Sequence, residues 1–426
     1  MTVIIAGGGI GGLAAALSLH QVGIECDVFE SVERIEALGV GINLLPHAVK
    51  ELDALGLLDR LMAVGLAPRT LAYFTKHGEE IWRESRGLDA GYRWPQISIH
   101  RGHLQRVLHD AVVQRVGASR VHTGHHLSRF DLTAASAEAV FVGRDRRTEI
   151  SRVRGSALIA ADGIHSQARR QLLPDEGPPL WNGAKLWRGL AEAPQLLDGR
   201  TQVWAGHRHQ KFVAYPIADR PHGTQVVNFI AELRVDGEAL AEREDWNTPG
   251  VLDQFLPQFE SWEWPWLDVP ALIRRSAGTF LFPMVDRDPL ERWSHGRMTL
   301  LGDAAHPMYP VGSNGASQAI LDARTLAGCL RCHGDDVARA LAVYDARRRP
   351  ATSRIVLANR GMGPERPMQL VEERAPDGLR GTTLHEVISS DEILAATDAY
   401  RTTAGFGVDD LNERPSLADL DYGVVE

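Results

Sequence analysis

Cysteine is scarce: Cys26, Cys329 and Cys332 are the three in 426 residues. That excludes a disulfide framework and points to a reducing compartment. Cys329 and Cys332 form a C-x-x-C, but the thioredoxin-like setting that would make it a redox pair is missing; residues three apart in a helical stretch share one face. Long basic runs are also missing, and the net charge is −9 with a pI near 6.0. Phosphate backbones are held by clustered Lys and Arg, so no nucleic-acid partner is expected. The histidines of VHTGHH, His122, His125 and His126, have no second ligand pair at metal-like spacing, and no metal is expected. There is no internal repeat and no low-complexity tract. Thr2 to Ile24 carries only His20 as a chargeable side chain, which could suggest a membrane span or leader. Its run of glycines, the lack of a basic segment before it and the lack of a cleavage pattern after it argue instead for strand, turn and buried helix. A cytoplasmic protein with no membrane partner is therefore expected.

What is present is enough apolar material, 44% of the chain, for a large core and more than one domain. TVIIA (Thr2 to Ala6) reads as a strand, Gly11 to Val22 as a helix, and CDVFE as a second strand, which together make a βαβ unit. Leu44 to Val64 continues helically. LAYFTKHGEEIW reads as a hairpin turning at His77-Gly78, and RGHLQRVLHDAVVQRV returns to helical spacing before a strand pair ending in SALIAADG. From Leu173 to Thr279 short alternating stretches such as KFVAYPIA and QVVNFIAEL predict a β-rich insertion. Helices dominate from Gly315 to Arg360, and a mixed tail follows with no obvious place on the body of the fold.

Gly7-x-Gly9-x-x-Gly12 follows the first strand, opens a helix with Ile10 and Gly11, and precedes Glu30 at the end of the second strand. The first glycine permits a tight turn, the second lets backbone approach a pyrophosphate, and the third lets helix and strand pack closely. Free N–H groups at the helix start favour the anion, and Glu30 is placed to accept from a ribose diol. A second loop, LLGDAAHPMYPVGSNGASQAILDA, spans Leu300 to Ala323. There Gly302-Asp303 offers a carboxylate to a polyol, and Pro310, Gly312 and Gly315 make a loop able to run along a flat ring. The helix opening at Gly315 would aim the amides of Ala316 and Ser317 at that ring. A reduced flavin accumulates negative charge at its pyrimidine edge and needs such donors, so the two loops together predict one FAD held at both ends.

These segments, with AADGIHSQAR between them (Asp162, Gly163, Ser166 and Arg169), resemble the single-component, class A aromatic flavin hydroxylases, the group of p-hydroxybenzoate and salicylate hydroxylases. LGVGINLLPHAV, SIHRGHLQ, FVAYPI and PMVDRDPL match as well, and the whole is most similar to the branch that hydroxylates phenazine carboxylates with loss of carbon dioxide. The resemblance runs from Thr2 to Arg360. It implies an α/β fold: a Rossmann-like FAD-binding domain built from residues 1–70, 97–172 and 280–360, a β-rich substrate domain from 71–96 and 173–279, and a C-terminal extension at 361–426. It implies that Glu30 binds the adenosine ribose, Arg101 the FAD linker and Asp303 the ribityl chain. Val40 and Gly41 would lie beside the dimethylbenzene and linker region, and Asp162 would touch both FAD and a visiting nicotinamide cofactor. Read without the family, Arg101 is equally an ordinary helix-start arginine and Asp162 a turn former.

No second GxGxxG is present, which fits NADH or NADPH as a transient reductant and argues against two-dinucleotide-domain reductases and Baeyer–Villiger-type enzymes. The implied chemistry is oxygen transfer from a flavin C4a-hydroperoxide to an electron-rich ring, with water kept away. An apolar wall is expected from His306, Pro307, Met308 and Tyr309. Lys211 and Tyr215 of KFVAYPI are expected to line the substrate, although a solvated Lys211 and a core Tyr215 fit the pattern equally. Arg188 of LWRGL is a candidate partner for a substrate carboxylate. Partners are then a small aromatic acid and dioxygen, the protein being a monomer or homodimer. Two rivals stand beside this reading: a flavin reductase or epoxidase on the same frame, and a non-catalytic binding protein of this fold. SWEWPWLDVP has the first spacing of a flavin-halogenase signature but lacks its Ile and Pro, so its tryptophans are expected to pack the insertion.

Overall fold

The computed structural model describes residues 1–36, 39–235 and 248–423. Its first layer is a six-stranded sheet in which Met298–Leu300, Ala157–Ala160, Thr2–Ala6 and Glu25–Phe29 lie side by side in that order, all parallel. Val121–His122 continues it at one edge, and Ser294–His295 pairs antiparallel at the other. Strands buried on both faces read as continuous apolar runs, and TVIIA and ALIA do so. The helix Ile10–Gln21 is apolar nearly all round because it packs between this sheet and the helix Gly315–His333.

This arrangement explains how distant motifs meet. The loops starting at Gly7, Ala161 and Leu301 all leave the carboxyl ends of adjacent parallel strands. The Ala161 amide donates to Ala6 O at 2.7 Å, and the Leu301 amide to Ala160 O at 2.9 Å. In parallel α/β sheets that edge is where ligands bind.

The second layer is an eight-stranded sheet ordered Pro249–Gly250, Ser276–Asp286, Leu180–Pro194, Thr224–Arg234, Gln210–Asp219, Thr201–His207, Thr70–Phe74 and Glu80–Ser85. All pairings are antiparallel except Thr201–His207 with Thr70–Phe74. The 71–82 hairpin thus joins this sheet, with Gly78 at φ +79° in its turn. Ser276–Asp286 runs past residue 280 and belongs to this sheet along its whole length. The helical stretch expected from Leu44 to Val64 is two helices, Pro46–Ala54 and Leu58–Met62, preceded by the strand Gly41–Leu44. Trp262, Trp264 and Trp266 stack in sequence with centroids 5.4 and 4.8 Å apart and pack the far face of the large sheet.

The tail after Arg360 has a definite seat. Its helix Arg366–Arg374 packs on the large sheet, and Ser390–Thr403 packs beside the turn Gly363–Glu365. Further on, Ser416 Oγ and the Leu417 amide donate to Glu51, which also holds Arg324 in a fully buried ion pair. Among the described residues no helix is long and apolar enough to cross a membrane.

Candidate functional site

Between the two sheets lies a cleft of about 990 Å3, at the large end for a small-molecule or cofactor site. Gly7, Gly9, Ile10, Gly11, Glu30, Val40 and Arg101 line one end. Asp162, Gly163, Gly302, Asp303, Pro310, Gly315 and Ala316 line the middle, and Arg188, Lys211 and Tyr215 line the sheet side.

The first turn is built as its spacing demands. Gly7 sits at φ +112°, and a Cβ there would lie 2.2 Å from Ala161 O. One on Gly12 would lie 1.9 Å from Gly7 O, so Gly12 serves packing and does not face the cleft. A Cβ on Gly9 would meet nothing within 4 Å: its backbone is open to whatever occupies the cleft. Glu30 accepts from the Gly8 amide at 2.6 Å, from Ser31 Oγ at 2.9 Å and from the Val32 amide at 2.9 Å. Those bonds fix the carboxylate rigidly at the cleft edge.

Asp162 satisfies both readings of its position. Its Oδ2 accepts from the amides of Gln167 and Ala168 at 2.8 and 3.3 Å, capping the helix Gln167–Leu172. Its Oδ1 is buried with no hydrogen-bond partner, an acceptor left over at the cleft wall. Asp303 is ringed by protein yet opens into the cleft, and burial raises its carboxyl above the usual value while His306 and Arg101 pull it down. Burial likewise lowers Arg101, with Asp303 and Glu30 opposing. Two opposite charges thus face each other across the cleft without a direct bond between them.

Two expectations need correction, the His306–Tyr309 wall and Gly312. His306 is not part of the apolar wall: Nε2 lies 2.5 Å from Asp322 Oδ2 in the Gly315–His333 helix, and Arg348 Nε donates to the other oxygen at 2.7 Å. This buried charge-assisted pair pulls the His306 ring behind the loop. Pro307 and Tyr309 are buried away from the cleft lining, and of the expected wall only Met308 lines it. Gly312, at φ +69°, faces Tyr400, whose hydroxyl would lie 2.3 Å from a Cβ there. Ser317 is fully buried, and its hydroxyl accepts from the Leu45 amide at 3.1 Å. Gly41 is beside the cleft but does not line it: its amide donates to Asn228 Oδ1 at 2.8 Å and its carbonyl accepts from Arg188 Nη2 at 2.7 Å.

The sheet contributes one face, because alternate residues share it. Arg188 lies over the Phe282 ring at 5.6 Å, and its Nε is buried without a partner. Burial pushes the neighbouring Tyr215 hydroxyl up to about 12, with Arg188 opposing. Lys211 is neither solvated nor free. It is 4% exposed, and Nζ bonds Glu365 Oε2 at 2.6 Å and Glu232 Oε2 at 2.8 Å. Burial alone would lower the ammonium, but the two carboxylates raise it. Burial raises Glu365, Lys211 pulls it back, and Glu232 pushes the same way as burial. Asn228, Glu232 and Glu365 had escaped the sequence reading. The period-two alternation of QVVNFIAEL could have found the first two; nothing in MGPE marks the third.

Cys26, Cys329 and Cys332 are free thiols, and no group of three or more His, Cys, Asp or Glu among the described residues could hold a metal. His122 stacks on Phe29 at 4.6 Å and pairs with Asp27 at 3.0 Å.

The open backbone at Gly9, Gly163 and Gly315, the Glu30 and Asp303 carboxylates and the leftover Asp162 acceptor fit an elongated dinucleotide with a polyol in its middle. Residues 1–359 match the family described as FAD binding domain. The chain belongs to this family and is an FAD-dependent aromatic monooxygenase. It is 46% identical over 362 residues to the phenazine 1,6-dicarboxylic acid hydroxylase PhzS of Lysobacter antibioticus, covering 84% of this chain and 89% of that one. It is 30% identical to the 3-amino-4-hydroxybenzoate 2-monooxygenase of Streptomyces cremeus, covering 97% and 98% of the two chains. Among solved structures it is similar to Klebsiella pneumoniae HpxO complexed with FAD and uric acid, with a TM-score of 0.75, 27% identity and coverage of 96% and 98%.

Proposed function

We propose that this enzyme uses NAD(P)H and dioxygen to hydroxylate a carboxylated aromatic ring, with loss of carbon dioxide when the carboxyl-bearing carbon is the one attacked. The observation that carries the reading is Arg188: a guanidinium held by Gly41 O, buried on the cleft side of the sheet, with Nε lacking any partner. An unpaired buried donor on a cation costs free energy that an incoming carboxylate recovers in a charge-assisted bond.

Bound FAD supplies hydride acceptance and, once reduced, dioxygen activation. The chain's residues do the rest. The amides around Gly9 and Gly11 and the start of the Ile10–Gln21 helix take the pyrophosphate, Glu30 the adenosine ribose, Arg101 the linker and Asp303 the ribityl hydroxyls. Val40 packs beside the linker region. The open N-terminus of the Gly315–His333 helix, with Ala316, faces the pyrimidine edge, where its dipole favours negative charge. Asp162, with its free Oδ1, takes a donor from FAD or the visiting nicotinamide. Ile230, Val213, Phe282, Met284 and Met308 form the apolar surround that excludes water, and Tyr215 stands beside Arg188 as a hydroxyl donor to the substrate. Residues 1–70, 97–172 and 287–360 thus serve the cofactor, the large sheet serves the substrate, and the tail braces both.

The test is NADH and NADPH oxidation by the flavin-loaded protein against phenazine, salicylate and hydroxybenzoate acids. Product mass should show a gain of oxygen or an exchange of carboxyl for hydroxyl. Oxidation that no aromatic acid stimulates would favour a flavin reductase instead.

A further inference from the structure

We propose that Asp322, His306 and Arg348 are positioning residues for the cofactor: they tie the Asp303 carboxylate and the start of the Gly315–His333 helix to one buried node, and they set the charge that stands behind Asp303. None of the three lines the cleft. The inference rests on Asp303 as the ribityl contact and goes beyond it to the residues that hold it there.

The node is a single carboxylate with three donors. Asp322 Oδ2 accepts from the Gly302 amide at 3.1 Å and from His306 Nε2 at 2.5 Å, and Oδ1 accepts from Arg348 Nε at 2.7 Å. The turn that carries Asp303 is therefore gripped on both sides, by the residue before it and by the histidine three residues after. His306 Nδ1 is buried with no hydrogen-bond partner, so Asp322 supplies the ring's anchor. The same node reaches the helix start: Arg348 Nη2 donates to Gln318 Oε1 at 2.7 Å, and Gln318 Nε2 donates to Asn314 Oδ1 at 3.1 Å. Gly302, Asp303, Asn314 and Gly315 all line the cleft, while Gln318, Asp322, His306 and Arg348 are buried behind it. A satisfied polar network in a dry interior is rigid, and two separate parts of the cofactor wall are thus held in fixed relation.

Charge alternates along the node, from Arg348 through Asp322 and His306 to Asp303 and, across the cleft, Arg101. Burial raises the Asp303 carboxyl; His306 and then Arg101 pull it down, against a smaller push from Asp322. Groups on the other elements packed here do not replace His306. Arg169, on the helix Gln167–Leu172, donates to the Ala304 and Ala305 carbonyls at 3.1 and 2.9 Å and is paired with Glu176. The Tyr344 hydroxyl donates to Leu300 O at 3.2 Å, and burial holds it well above its ordinary value. Trp293 covers the His306 ring with centroids 5.1 Å apart. Without the His306 charge, Arg101 is left to oppose burial, and Asp303 takes up its proton at higher pH. A neutral carboxyl is a weaker acceptor for a ribityl hydroxyl than a carboxylate.

The test follows release of FAD from the flavin-loaded full chain after dilution, by flavin fluorescence, between about pH 5 and about pH 8.5. Retention that needs an ionised Asp303 is complete at the upper end and is lost as pH falls through the Asp303 pKa. His306→Gln keeps a donor to Asp322 but removes the charge. Its release rate at the upper end should stay within about threefold of native, while the acceleration on acidification should begin about one pH unit higher. Asp322→Asn leaves one acceptor for three donors and should release FAD about tenfold faster across the whole range. Native and His306→Gln profiles that superimpose, or that run parallel without a shift, overturn the inference. So does a His306→Gln chain that loses flavin at the upper end as fast as Asp322→Asn, because its role would then be structural alone. If Asp322→Asn holds no flavin, His306→Gln decides. Asp303→Asn releasing FAD as slowly as native at the upper end would instead bring down the ribityl reading beneath the inference.

Discussion

The hydroxyl of Tyr400 accepts a hydrogen bond from Asn314 Nδ2 at 2.9 Å, tying the C-terminal tail to the residue that immediately precedes the Gly315–His333 helix. The same hydroxyl lies 2.8 Å from Asn359 Oδ1 and 3.1 Å from Val311 O. One side chain therefore fixes both the loop and the helix start that line the cleft.

Tyr400→Phe should consequently loosen that loop. Losing the hydroxyl leaves buried amide and carbonyl groups unsatisfied, which costs about 1–3 kcal/mol. A lower unfolding midpoint and severalfold faster release of FAD on dilution, followed by flavin fluorescence, would bear this out. An unchanged release rate would show that the tail braces the fold without reaching the cofactor.

Glu30→Ala removes the acceptor for the Gly8 amide and the proposed ribose contact at once. FAD affinity measured by fluorescence titration should fall about tenfold to a hundredfold, in line with losing one or two hydrogen bonds to a charged group. Glu30→Gln, which keeps one carbonyl oxygen, should fall less.

Arg188→Met should raise KM for the aromatic acid by about two orders of magnitude, the scale of a lost charge-assisted pair. Arg188→Lys, which keeps the charge but not the fork, should fall between. Steady-state NADH oxidation across substrate concentration gives both numbers. A variant in which only kcat changed would remove Arg188 from carboxylate binding.

His47 offers a pH prediction for stability. It is fully buried against Phe406 of the tail, with ring centroids 5.2 Å apart. Burial, aided by Arg414 and Arg348, lowers its pKa to about 3. The unfolded chain therefore binds the proton more readily than the native one. The stability associated with a neutral His47 is complete above the ordinary histidine value near 6.5 and is lost as pH falls from there towards 3. Between neutrality and about pH 5 the loss should be about 2 kcal/mol. Urea unfolding of the native protein and of His47→Gln across that range should show a shallower slope in the variant.

The first turn of the cleft and its acidic partner were legible because their spacing is local. Gly7, Gly9, Gly12 and Glu30 sit within one βαβ unit, and strand ends carry Asp162 and Asp303 to one sheet edge. What escaped was set by tertiary contacts. His306 belongs to the same loop as Asp303, but an ion pair with Asp322, a turn pattern away in the next helix, reverses where it points. Gly312 faces Tyr400, which no spacing announces. Whether Lys211 was solvated or lined the substrate stayed open in the sequence because its partners, Glu232 and Glu365, come from the neighbouring strand and from a tail that has no sequence signal.

In the function proposed, this cleft couples NAD(P)H oxidation to oxygen insertion into an aromatic acid. The most direct measurement is turnover under isotope-labelled dioxygen with product mass and hydrogen peroxide read together. One labelled oxygen in each product ring, with little peroxide, is expected for an acid that stimulates NADH oxidation. Stimulated oxidation that delivers all the oxygen as peroxide, with every acid recovered unchanged, would contradict it.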